Sequence, residues 1–113
     1  MRVTKFPTVS TTTNTTYNTD PVNIEIGPFQ DRITFQVTQT TTGTVNNTVQ
    51  LQIRPYPDLN WVSVGSTENL NTTGAGTTSI IFSRQFPCSE YRLRIVRSSA
   101  TGGTATVDAW VGR

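Results

Sequence analysis

The sequence predicts an all-β fold, an antiparallel β-sandwich of the jelly-roll or immunoglobulin-like kind. Threonine makes up about a fifth of the 113 residues, whereas alanine and leucine have only four copies each. Because β-branched residues favour strands over helices, this composition argues against a helical protein. Apolar and polar residues also alternate in one run after another, which is typical of half-buried strands, and no stretch shows a helical period.

Seven runs, most of them with a period of two, predict seven strands at spacings near those of sandwiches; the run 77–82 breaks alternation at Ile80-Ile81-Phe82. Each run ends at a glycine, a proline or a polar loop, because prolines cannot stay in a strand ladder and glycines favour turns. Two polar stretches, 40–47 and 66–76, are predicted loops. The predicted strands cover residues 22–26, 33–37, 49–53, 60–64, 77–82, 91–95 and 105–111, and residues 2–6 are a candidate eighth strand.

The first 20 residues are predicted to be an extended, Thr-rich N-terminal arm, and residues 21–113 the β-sandwich domain. Residues 8–20 are nearly all Thr, Asn and Ser and show no period. Such a segment lacks the apolar surface to fold alone. We therefore expect it to be held by the protein's own body or by a neighbouring subunit.

Composition also excludes several kinds of chemistry. The chain has no histidine, so His-based triads and zinc sites are absent, and Cys88 is its only cysteine, so no internal disulfide exists. A net charge of +2 is too small to direct the chain to nucleic acid or to anionic membranes. The spacing of the seven carboxylates selects no catalytic pair. We expect a protein that is not an enzyme and has no metal or cofactor.

The sequence also predicts no targeting signal. No apolar segment follows the basic start at Arg2 and Lys5, so the sequence predicts no signal peptide, and no run is long enough to span a membrane. We expect folding in a reducing cytoplasm.

The last two runs predict a hairpin with a solvent-facing patch. If residues 91–95 pair with residues 105–111, either Arg92 or Arg94 lies opposite Asp108, and Arg92 also reaches Trp110 in one register. This patch is either a surface salt bridge with a cation-π contact or a docking surface. An outward tryptophan needs a cover and is enriched at interfaces, so the docking surface is favoured.

A second candidate is the turn Asp58-Leu59-Asn60-Trp61. Its oxygens suit calcium, and Trp61 suits stacking against a sugar. The alternative is structural: Asp58 and Asn60 are common turn residues, and Trp61 is the large core residue of the next strand. A calcium site wants more carboxylates than this neighbourhood offers, so the structural interpretation is favoured.

Three stretches, Gln50 to Gly65, Tyr91 to Ile95 and Gly103 to Val107, resemble small β-sandwich modules of tailed bacteriophage virions. Those modules have a strand, a D-x-N-W turn and a second strand, followed later by a tyrosine-arginine strand and a Gly-Thr hairpin. The likeness covers about half of the chain. It implies a capsid decoration, head-fibre or tail accessory protein.

The main hypothesis is thus a non-enzymatic virion structural protein, made in the host cytoplasm, that forms homo-oligomers or binds capsid or tail subunits through its arm and sheet surfaces. Its interface residues would be Phe6, Tyr17, Arg92, Arg94, Asp108 and Trp110. The alternative is a carbohydrate-binding β-sandwich that binds a glycan, with Tyr56, Trp61 and Trp110 as stacking platforms.

Overall fold

The protein is described by a computed structural model that covers residues 3–11, 16–23, 33–55, 58–84, 90–98 and 103–112. These residues form strands and connecting turns and no helix, so none of them belongs to a helix that could cross a membrane. The strands are β1 (Val3–Lys5), β2 (Val9–Thr11), β3 (Thr16–Asn18), β4 (Val22–Asn23), β5 (Ile33–Thr41), β6 (Val45–Arg54), β7 (Val62–Thr72), β8 (Gly76–Arg84), β9 (Glu90–Ser98) and β10 (Ala105–Gly112).

The strands form two antiparallel sheets, which confirms the predicted all-β sandwich. In sheet I, β10 and β5 are central, with β8 on one side and β1 and β2 on the other. In sheet II, β9 and β6 are central, with β7 on one side and β3 and β4 on the other. From β5 onward, β6 and β7 are the one pair of consecutive strands that lie in the same sheet, and they pair with each other. The two strands of every other consecutive pair belong to different sheets.

The core lies between the two sheets and is built from the apolar positions of the alternating runs. Phe35 is at its centre, stacked on Phe82 at 5.2 Å between ring centroids and in edge contact with Tyr91 at 6.0 Å. Burying large aromatic and branched side chains on one face of each strand is the main source of stability in such a sandwich.

The N-terminal segment lies along the edges of both sheets. Residues 3–11 pair with β10, where Phe6 N donates to Ala109 O at 2.8 Å, and residues 16–23 pair with β9. The predicted separate arm is therefore not confirmed: its described residues belong to the sandwich. Phe6, predicted as an interface residue, is only 1% exposed and packs in the core. The described part of the segment is held by the protein's own body, one of the two supports expected from its composition, because an edge strand is stabilised by its neighbour's backbone.

Two predicted loops are shorter than expected. Strand β5 continues to Thr41 and β6 begins at Val45, so the loop predicted at 40–47 is a turn of three residues. Strand β7 continues to Thr72, through most of the loop predicted at 66–76. The polar threonine and asparagine residues of these stretches favour a loop prediction, but threonine is β-branched and also favours strands. The predicted strand 22–26 is described only at its first two residues.

The predicted hairpin of the last two runs is wrong. Strand β9 pairs with β6 in sheet II, with Leu93 opposite Leu51, and β10 pairs with β5 in sheet I, with Ala109 opposite Val37. Strands β9 and β10 therefore belong to different sheets and do not pair with each other. Alternation places residues on inner or outer faces correctly, but it does not identify the neighbouring strand.

One end of the core is polar. Gln39 is fully buried, and its amide donates to Leu70 O at 3.1 Å and to Thr72 Oγ1 at 3.0 Å. Arg97, on the inner face of β9, is 4% exposed and donates to Thr11 O at 2.5 Å and to Gly103 O at 2.6 Å. Arg97 therefore ties sheet II to a strand of sheet I with backbone carbonyls as its partners.

Candidate functional site

The outer face of sheet II brings together long polar side chains and a tryptophan. They come from the outward positions of β6 and β9, from the start of β7, and from the turn before β7. We call this surface the arginine face; it consists of Gln50, Gln52, Arg54, Trp61, Ser63, Glu90, Arg92 and Arg94. Sheet pairing fixes their spacing, because Gln50, Gln52 and Arg54 lie directly opposite Arg94, Arg92 and Glu90.

Trp61 is the aromatic group of the arginine face. It is partly exposed, and the guanidinium carbons of Arg54 and Arg92 lie 4.4 Å and 4.6 Å from its ring centroid. These are cation-π distances, and such contacts hold the indole in place. The prediction that Trp61 is a core residue is therefore wrong. Asp58 and Asn60, in the turn before it, are exposed.

A row of hydrogen bonds runs across three strands beside Trp61. Gln52 Nε2 donates to Ser63 Oγ at 3.1 Å, and Arg92 Nε donates to Gln52 Oε1 at 2.7 Å. One row away, Gln50 Nε2 donates to Gly65 O at 3.3 Å. These bonds leave further donor and acceptor positions of the amides and guanidinium groups for a ligand. The side chains are thus held in defined positions before any ligand arrives.

The arginine face carries more positive than negative charge. Arg54 forms an ion pair with Glu90, whereas neither Arg92 nor Arg94 forms an ion pair with any described residue. Partial burial and the neighbouring guanidinium groups of Arg54 and Arg94 hold the pKa of Arg92 below its usual value. Arg92 remains cationic at neutral pH, in surroundings that oppose its charge.

The outer face of sheet I has a different character. We call it the hydroxyl face; it consists of Lys5, Thr34, Gln36, Thr38, Thr40, Thr77, Ser79, Ile81, Ser83, Asp108 and Trp110. Its hydroxyls pair across strands, as in Thr38 with Ser79 at 2.8 Å and Thr34 with Ser83 at 3.0 Å. Ile81, 69% exposed, and Trp110 lie on either side of Gln36.

The charges of the hydroxyl face are paired. Lys5 Nζ lies 3.0 Å from Asp108 Oδ1 and 6.0 Å from the centroid of Trp110. Thr8 Oγ1 also donates to Asp108 Oδ1 at 2.6 Å. The hydrogen bonds from Thr8 and Lys5 hold the pKa of Asp108 below its usual value.

The predicted patch of arginines, Asp108 and Trp110 is divided between the two faces. Arg92 and Arg94 belong to the arginine face of sheet II, whereas Asp108 and Trp110 belong to the hydroxyl face of sheet I. Asp108 pairs with Lys5 rather than with an arginine. The physical reason is that β9 and β10 belong to different sheets, so the two groups lie on opposite outer faces of the sandwich.

The remaining predicted residues are placed as follows. Tyr17 pairs opposite Ile95 and packs, partly exposed, against the core. Tyr56, a predicted stacking platform, lies outside the described residues, as does Cys88. Sequence reasoning missed Gln52 and Arg54. The signal for both was present, because they occupy the outward positions of the run 49–53 and its end, on the face opposite the apolar residues.

Solved structures with a similar fold include carbohydrate-binding modules. A CBM4 carbohydrate-binding module is similar with a TM-score of 0.56 and 14% identity over 82% of this chain and 56% of its own length, so the chain spans little more than half of it. TmCBM61 in complex with β-1,4-galactotriose is similar with a TM-score of 0.55 and 12% identity, over 99% of this chain and 87% of its own. At these identities the likeness shows the β-sandwich fold.

Another similar structure is the enzymatically active domain of tailspike protein 4 of bacteriophage CBA120. Its TM-score is 0.45, with 12% identity over 92% of this chain and 19% of the tailspike domain. No protein-family model and no curated protein sequence matches the chain.

Proposed function

We propose that this protein is a non-enzymatic carbohydrate-binding β-sandwich that holds a glycan on the arginine face. The observation that carries the proposal is Trp61, partly exposed and fixed beside the hydrogen-bonded row of Ser63, Gln52 and Arg92. The β-sandwich fold that the chain shares with TmCBM61, whose structure contains β-1,4-galactotriose, supports the same function.

The chemistry of a sugar matches this arrangement. A pyranose ring presents apolar C–H groups on its faces, which pack on an aromatic ring, and hydroxyls at its rim, which hydrogen-bond to polar groups. Glutamine offers both a donor and an acceptor, and a guanidinium offers several donors in one plane. Side chains on paired strands are also held more precisely than side chains on loops.

The hydroxyl face fits a glycan less well, although it also carries a tryptophan. Its threonine and serine hydroxyls are short and largely paired with each other across the strands. Lys5, the cation nearest Trp110, is paired with Asp108. Fewer free polar groups are therefore positioned to meet sugar hydroxyls around Trp110.

The proposal includes no catalysis. Glycoside hydrolysis uses two carboxyl groups on either side of the scissile bond. Among the described residues, the arginine face carries one carboxylate, Glu90, and it is engaged by Arg54. We therefore assign binding, not cleavage, to this face.

The virion hypothesis depends on the resemblance of three stretches to phage modules, with the N-terminal arm and the sheet surfaces as the parts that would join subunits. The described residues of that segment pair with β9 and β10 of their own chain. No family or sequence match supports a virion protein. The role in a virion stays a prediction, whereas the shared fold favours carbohydrate binding.

Affinity electrophoresis and calorimetry with a panel of soluble polysaccharides, including β-1,4-galactan, xylan, β-glucan and polygalacturonate, test this function. We expect the wild type to bind at least one of them and Trp61→Ala to weaken that binding by at least about tenfold, or about 1.4 kcal/mol. Trp110→Ala is the matched control and should bind as the wild type does, with circular dichroism confirming that both variants fold. Binding that is lost in Trp110→Ala and kept in Trp61→Ala would move the site to the hydroxyl face. Failure of the wild type to bind any glycan would refute the proposed function.

A further inference from the structure

The two arginines of β9 stand apart from the other described cations. Lys5 is paired with Asp108, Arg54 with Glu90, and Arg84 with Glu68 at 2.7 Å. Arg97 is buried among backbone carbonyls. Among the described residues, only Arg92 and Arg94 are surface cations without a carboxylate or a buried carbonyl as partner.

The arrangement of Arg92 and Arg94 concentrates their charge. They are alternate residues of one strand, so their α-carbons are about 6.8 Å apart on the same face. Their opposite neighbours on β6 are the neutral Gln52 and Gln50, and Arg94 has the neutral Asn18 of β3 on its other side. Like charges this close repel each other, and the pKa of Arg92 is lowered by partial burial and then by the guanidinium groups of Arg54 and Arg94.

We infer that the glycan bound at the arginine face is acidic, with uronate carboxylates that pair with Arg92 and Arg94. This inference rests on the proposed function and names its ligand class. A carboxylate next to these arginines relieves their repulsion, and its two oxygens match the planar guanidinium in a bidentate pair. A neighbouring sugar ring of the same chain packs against the part of Trp61 that Arg54 and Arg92 leave exposed.

A carboxylated sugar fits better than a nucleic acid. Single-stranded nucleic acids are bound along basic grooves by several aromatic platforms, one for each of several bases. The arginine face has one aromatic residue among its described members, and the net charge of the whole chain is only +2. Hydroxyl-binding groups such as Gln50 and Gln52 flank the arginines instead.

A pair of ligands that differ only in charge tests the inference. Polygalacturonate and its methyl ester share a backbone, but the ester lacks the carboxylates. At low salt, with a chelator present to prevent calcium cross-linking, we expect the wild type to bind polygalacturonate at least about tenfold more tightly than the ester. The preference should shrink as salt is added, because salt screens exposed charges.

Two variants with equal net charge show which face causes the preference for polygalacturonate over its methyl ester. Arg94→Gln and Lys5→Gln each remove one positive charge, the first from the arginine face and the second from the hydroxyl face. We expect Arg94→Gln to lose most of the preference and Lys5→Gln to keep it. Arg94→Lys, which keeps the charge but not the planar fork, should be intermediate, and it replaces Arg94→Gln if that variant does not fold.

Each other outcome overturns the inference in a recognisable way. Equal affinity for polygalacturonate and its ester would refute an acidic ligand while leaving the proposed function intact. Equal losses in Arg94→Gln and Lys5→Gln, or tighter binding of oligothymidylate than of polygalacturonate, would show general attraction of anions instead. Absence of binding to every glycan would remove the proposed function itself.

Discussion

The two outer faces of this sandwich belong to sheets that each have five antiparallel strands, yet the side chains on the two faces differ in kind. The hydroxyl face has short side chains that bond to each other, and its lysine and aspartate are paired. The arginine face has long side chains, and two of its three guanidinium groups have no anionic partner among the described residues. Most polar groups of the hydroxyl face bond to one another, whereas the arginine face keeps guanidinium donors that no described carboxylate engages.

This difference shows that the inward residues of each strand determine the fold, whereas its outward residues determine the chemistry of the surface. Most inward residues of both sheets are alike, since they are apolar and meet in one core, with Gln39 and Arg97 as polar exceptions at one end. The outward residues contribute little to that core and are free to differ. On β9, Leu93 and Ile95 therefore pack in the core, whereas Arg92 and Arg94 belong to the outer face for which we propose ligand binding.

The largest effect is expected from a residue that serves both sheets. Arg97→Met leaves the carbonyls of Thr11 and Gly103 without their donor, and each unsatisfied buried group costs about 1–3 kcal/mol. We expect the free energy of unfolding in urea to fall by at least about 2 kcal/mol. Ligand binding should be unchanged under conditions where the variant remains folded. A selective loss of glycan affinity in the folded variant would contradict the separation of core and face.

The next largest effect is expected from a substitution that makes the arginine face still more positive than the hydroxyl face. Glu90→Gln removes the only carboxylate among the described residues of the arginine face and leaves Arg54 without its ion pair. Because that pair is mostly buried, we expect a loss of about 1–2 kcal/mol in the free energy of unfolding. At the same time polygalacturonate should bind several-fold more tightly at low salt, whereas its methyl ester should not. Weaker binding of polygalacturonate would indicate that Glu90 itself contacts the ligand.

A smaller effect concerns the paired charges of the hydroxyl face. The lowered pKa of Asp108 means that its ionised form stabilises the fold above the unfolded-state pKa of about 3.9, and that this stabilisation is lost as pH falls through the folded-state pKa. Asp108→Asn should lower the free energy of unfolding by less than about 1 kcal/mol near pH 7, since the group is partly exposed. Urea unfolding at a series of pH values should show the two proteins converging in acid. A constant difference at all pH values would rule out this charge effect.

The smallest effect is expected at Ile81. Its side chain is 69% exposed on the hydroxyl face, so Ile81→Thr removes little buried apolar surface and adds a hydroxyl to a surface of hydroxyls. We expect the melting temperature and the glycan affinity to stay the same, with stability within about 0.5 kcal/mol of the wild type. Loss of glycan binding in this variant would place the ligand on the hydroxyl face.

Much of the fold was predictable because alternation in the sequence reports directly on burial. It placed Phe35 and Leu93 in the core and Arg92 and Arg94 on an outer face, and the structure agrees. It failed for the pairing of β9 and β10, since strand partners depend on contacts between distant parts of the chain that no local pattern records.

The candidate site was predicted only in part for the same reason. The sequence predicts Trp61 as the large core residue of the strand 60–64, but β7 begins only at Val62 and is an edge strand whose Val62 is itself 57% exposed. The neighbours that hold Trp61 come from β6 and β9, so its role depends on sheet pairing. The local sequence shows which residue types form the site, but it does not show that sheet pairing brings Arg54 and Arg92 to Trp61.

The pairing of β1 with β10 has a consequence for how the chain folds. Val3 lies opposite Gly112, and in the other sheet Thr16 lies opposite Val96, so the earliest strands join the latest ones. On the ribosome, residues 3–11 and 16–23 must wait unpaired until β9 and β10 have been made. Such distant pairings slow folding to the millisecond-to-second range. During that delay the uncovered edges of β9 and β10 are the most vulnerable points for misassociation with other chains.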